Sequence, residues 1–82
     1  MSIAEKTSPA DPEIFYLRGK AYVAEGRYQA AVAPLRHSIE LRPMDPAPYY
    51  QLAKAYQKLG ETELAREQFE RVRYLESVPA KQ

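Results

Sequence analysis

Apolar and aromatic residues return every three or four positions along most of this chain, in four blocks separated by glycine, proline and aspartate signals. That is the spacing of helices that bury one face. In the first block Phe15, the small Gly19 and Ala21-Tyr22 share a helical period. Asp11-Pro12-Glu13 opens it: Asp accepts bonds from the first free amides, Pro suits the first helical position, and Glu13 sits at the positive end of the dipole. Gly26 is placed as the left-handed residue that ends the helix. The turn is short, so the second helix, about Tyr28 to Leu41, runs back antiparallel with Ala31, Val32, Leu35, Ser38 and Ile39 inward. Arg42-Pro43 stops it. Pro34, inside this helix, removes one amide and crowds the carbonyl of Ala30, which predicts a bend rather than a break.

Asp45-Pro46 repeats the start signal, and Tyr49, Leu52, Ala53, Ala55-Tyr56 and Leu59 carry a third helix to Gly60. Pro48 is tolerated because it falls in the first turn, where amides have no intrahelical partner. The fourth helix, about Thr62 to Glu76, turns Leu64, Ala65, Phe69, Val72 and Leu75 inward. It shows Arg66, Glu67, Glu70 and Arg71 outward, with Glu67/Arg71 and Arg66/Glu70 at the spacing of supportive ion pairs. Ser77-Val78-Pro79 ends it. Residues 1–10 are expected to form a loose polar leader and residues 78–82 a short tail.

The third and fourth blocks repeat the first and second. Phe15, Arg18-Gly19, Tyr22, Gly26, Ala31, Leu35 and Pro43 return as Tyr49, Leu52-Ala53, Tyr56, Gly60, Ala65, Phe69 and Ser77, each 34 positions later. Tyr16/Tyr50, Lys20/Lys54, Ala21/Ala55 and Leu41/Leu75 are identities at the same offset. This register resembles the tetratricopeptide repeat, whose signature spreads an aromatic, Leu-Gly, Tyr, Ala, Phe and Pro over 34 residues. The resemblance runs from Asp11 to Ser77. It departs at Arg18 in place of Leu, Ser38 in place of a small Ala whose counterpart is Val72, and Ser77 in place of the closing Pro. It implies an all-α fold: two helix-turn-helix repeats, 11–44 and 45–77, as four antiparallel helices in a short right-handed α-solenoid.

The offset comparison also predicts how the repeats join. Val32, Ile39, Leu52 and Leu59 are expected to form the seam between them. Their counterparts Arg66, Arg73, Arg18 and Glu25 face no neighbouring repeat within this sequence and read as polar caps on both ends. Ordinary drift at those positions is the alternative, and Ile14, Phe15, Tyr74 and Val78 stand out as sticky points.

At 82 residues the chain forms one small domain with a thin stability margin. It has no cysteine, which removes disulfide staples and thiolate metal sites. Twelve Lys and Arg against eleven Asp and Glu give a net charge of +1 spread through both copies, which gives little support to nucleic-acid or membrane-surface binding. RNA reading by related repeats of about 35 residues is disfavoured by the period and the near-zero charge. No apolar run is long enough to span a bilayer, and the expected setting is cytoplasmic.

No carboxylates converge, and no nucleophile stands beside a base, so no catalytic role, metal or cofactor is expected. His37 is expected to be a solvated surface residue beside Arg36. The glycines serve packing and turns rather than a phosphate loop. The remaining candidate is a groove. In proteins that resemble this one, the first helix of each repeat lines a concave face that takes an extended peptide or a partner helix. The matching residues here are Tyr16, Lys20 and Val23, then Tyr50, Lys54 and Gln57, with Leu17, Gln51 and Lys58 beside them. Aromatic platforms with ammonium groups suit an acidic or C-terminal carboxylate ligand. The same pairs also fit a plainer role, in which Lys lies over Tyr for solubility. Chaperone-binding members resembling this chain use a clamp of Lys, Asn, Asn, Lys and Arg over three repeats. The matching places hold Tyr16, Lys20 and Gln51, which argues against chaperone tails. The expected function is protein–protein interaction, with self-association into a homo-oligomer or larger repeat array as the alternative.

Overall fold

The computed structural model describes residues 11–77, so the expected leader and tail lie outside the described residues. Four helices fill that span: α1 (Pro12–Ala24), α2 (Tyr28–Leu41), α3 (Pro46–Lys58) and α4 (Thr62–Ser77). The sequence signals account for their ends. Asp11 and Asp45 cap α1 and α3 by accepting from the amides of Glu13 (2.9 Å) and Ala47 (3.1 Å). Each satisfies a donor that the first turn leaves free. At the other ends Gly26 (φ 80°) and Gly60 (φ 83°) take the left-handed conformation. That lets the Arg27 and Glu61 amides donate to the Tyr22 and Tyr56 carbonyls, both at 2.8 Å, which closes each helix in the same six-residue motif. The helix α2 continues unbroken through Pro34. Ala30, whose carbonyl loses its partner, is solvent-exposed, so water can replace the missing amide.

The helices α1/α2 and α3/α4 form two hairpins, and α3 also packs against α2 and, less extensively, α1. The last helix packs along α3 alone. The core draws on all four helices: Val23, Ala31, Leu35, Leu52, Ala55, Tyr56 and Ala65, with Tyr16, Tyr22, Tyr28, Val32, Ile39 and Phe69 packed around them. Four of the nine buried apolar residues are alanines, so few large side chains contribute the ~1.5–3 kcal/mol that full burial of a Leu or Phe brings. Within each hairpin a small residue on the first helix receives a large one from the second. Gly19 lies against Leu35, and at the equivalent places stand Ala53 and Phe69. Two polar contacts tie the elements. The buried Ser38 hydroxyl donates to the Pro12 carbonyl (3.0 Å), and the Tyr49 hydroxyl donates to the Pro43 carbonyl in the loop between hairpins (3.0 Å).

The structure corrects several expectations. Of the seam residues only Leu52 is fully buried, whereas Val32, Ile39 and Leu59 are half-buried, because α2 and α3 meet over a short width. Leu64 is 38% exposed rather than inserted, since α4 has no partner beyond α3 to cover its first turn. His37 is exposed, yet its ring stacks flat on Phe15 at 4.2 Å and 8°. Neither Glu67/Arg71 nor Arg66/Glu70 closes. Among the described residues the ion pairs are Arg27–Glu25 (3.5 Å) and Arg42–Asp45 (3.9 Å). Holding two long exposed side chains together costs as much entropy as the pair returns.

Candidate partner-binding groove

The helices α1 and α3 are the first helices of the two hairpins and lie side by side, which brings their equivalent residues together. Lys20 stands one turn after Tyr16 and places its ammonium 5.9 Å from the ring centre. Lys54 does the same over Tyr50 at 5.4 Å. One sequence feature thus yields one geometry twice. Both rings are held: Tyr16 packs on the core cluster, and Tyr50 meets the edge of Phe69 at 6.1 Å. An aromatic already fixed by its neighbours loses little freedom on binding, and an ammonium drawn over a ring is partly ordered beforehand.

Between the two tyrosines a cavity of about 360 Å³ opens, completed by Asp45, Pro46 and Ala47 at the start of α3 and by Val72 and Glu76 near the end of α4. The reason is antiparallel packing, which returns the last turn of α4 to the first turn of α3. Gln57 and Lys58 are exposed at the far end of α3. Asp45 points one oxygen at the Ala47 amide and the other, at 3.9 Å, toward Arg42.

Three of the residues assigned to the groove from the sequence fall elsewhere. Val23 is 8% exposed and belongs to the core beneath α3, because the second turn of a seven-residue step reaches the contact between α1 and α3. Gln51 is 9% exposed, on the side of α3 covered by the first hairpin. Its counterpart Leu17 is 50% exposed on the free side of α1, with Ile14 one turn before it. Leu17 therefore lies on an uncovered side of α1, not on the groove floor. Conversely, Asp45, Val72 and Glu76 were missed. The signal that could have found them is hairpin pairing, which sets the end of each second helix beside the start of its first, as Ser38 and Pro12 show.

Among the described residues no group of three or more His, Asp or Glu is placed to hold a metal ion, and no helix is long and apolar enough to cross a membrane. Comparison with curated proteins and with solved structures gives no match. Family models do match: a TPR repeat model over residues 19–60 and a tetratricopeptide repeat model over residues 46–77. The first spans half of the chain and runs from Gly19, which receives Leu35, to Gly60, which closes α3. With the duplicated hairpins, the glycine-closed first helices and these matches together, the chain belongs to the tetratricopeptide repeat family.

Proposed function

We propose that the chain is an interaction module that takes an extended peptide or partner segment along the side-by-side α1 and α3, with acidic side chains meeting Lys20 and Lys54. Repeats of this family generally mediate protein–protein interaction on a non-catalytic scaffold. The observation that supports the finer reading is the Tyr–Lys pair formed in both repeats with the cation over the ring. Each exposed ammonium adds only about 0–1 kcal/mol and is screened by salt. The rings supply contact area. Two repeats bury little, so the affinity is micromolar or weaker, about −8 kcal/mol at most. In this reading the chain is a small cytoplasmic adaptor or the repeat portion of a larger protein. Fluorescence anisotropy with a labelled acidic peptide tests it: binding weakens as salt rises and drops further for Lys54→Glu, while binding indifferent to both contradicts it.

A second reading, self-association, draws on Ile14 and Leu17, which stand exposed on α1 where the equivalent Pro48 and Gln51 of α3 are buried. A monomer at high concentration in sedimentation would exclude it.

A further inference from the structure

We infer that the segment this groove takes is itself bipolar: a cationic side chain in the cavity between Tyr16 and Tyr50, and a carboxylate about four residues away opposite Lys20 and Lys54. The inference rests on the groove reading above and goes beyond it by assigning the order of charges. The groove changes sign along its length. Lys54 and Lys58 follow one another by a turn on α3, and Lys20 stands level with Lys54 on α1. The cavity at the other end is lined by two carboxylates, Asp45 and Glu76, two tyrosines, Val72, and no cationic side chain.

A helix start ordinarily attracts anions through its free amides, but that capacity is blunted here. Pro46 and Pro48 have no amide hydrogen, and the Ala47 amide is already bonded to Asp45. The end of α4 contributes the opposite sign, since its last carbonyls carry partial negative charge and no basic residue lies in its last turn. Lys20 and Lys54 each cover one face of a tyrosine, and Arg42, half-exposed, stands 3.9 Å from Asp45 but reaches no ion pair with Glu76. Glu76 is exposed and in no ion pair among the described residues, so it remains available. Tyrosine faces and carboxylates together suit a Lys or Arg side chain of the partner. From Asp45 to Lys54 the helix rises ~13 Å, which about four residues of extended chain span.

Three peptides of equal length decide it by anisotropy or calorimetry: one with Arg and Glu four residues apart, one with Glu at both places, and one with Arg at both. The wild type should prefer the bipolar peptide over the di-acidic one by about three- to fivefold, the scale of one exposed charge contact. Glu76→Lys should reverse that order, since it is an exposed change at a helix end that leaves the core alone. A di-acidic peptide that binds wild type as well as or better than the bipolar one overturns the charge order while leaving the groove in place. If no peptide binds, the groove reading itself fails and the charge order with it.

Discussion

Gly19 shows how much a single position can carry. A methyl group built there would overlap Leu35 Cγ and Cδ2, and Leu35 is fully buried. Gly19→Ala gains about 1 kcal/mol of helix propensity, but overpacking costs about 1–3 kcal/mol. The variant should therefore be less stable by about 1 kcal/mol in a urea melt, and a stabilised variant would show that Leu35 yields. That Gly19 is a packing residue was legible from its place in the repeated pattern. The stacking of His37 on Phe15 was not, because a ring contact between residues 22 apart in sequence depends on rotamers that periodicity does not encode. Ser38 lies between these cases. Its inward position follows from spacing, while its use of Pro12 as acceptor follows only from the hairpin.

The helices themselves were legible almost to the residue, because α1 and α3 are chemically marked by Asp-Pro at the start and a left-handed Gly just past the end, which also fixes where α2 and α4 begin. Which face of each helix is covered was less legible. The side of α3 that carries Gln51 and Ala55 is buried by the first hairpin, whereas the identical side of α1, with Leu17 and Ala21, is open. A repeat places equivalent residues on equivalent faces, and only the neighbours decide burial. The seam shows the energetic consequence. Leu52 is 2% exposed, so Leu52→Ala should cost about 2–4 kcal/mol. Half-buried Ile39→Ala should cost about half of that, since less area leaves water in the native state. Equal losses in denaturant melts would mean that the two hairpins meet more broadly than described.

At the scale of the whole molecule the first and last helices carry charge at positions where their repeat counterparts are covered. Arg66 and Arg73 on α4 are exposed where Val32 and Ile39 of α2 pack on the core, and Arg18 on α1 and Glu25 just past its end are exposed where Leu52 is buried and Leu59, just past α3, is half-buried. Their exposure fits polar caps. Changing Arg66 to Val and Arg73 to Ile should create an apolar face and make the protein associate, seen as a rise in sedimentation coefficient with concentration. A variant that sediments as the parent does would reduce the caps to sequence drift. The groove belongs to this scale too. Its Tyr and Lys pairs could be read from the 34-residue offset, but the acidic cavity beside them could not, because it is assembled from α1, α3 and the far end of α4. Whether that composite surface is where a partner docks is tested most directly by NMR titration of the labelled protein with an acidic peptide. The account predicts shifts concentrated at Tyr16, Lys20, Tyr50 and Lys54 that shrink as salt is raised; shifts confined to the outer helices around His37 and Arg71 would contradict it.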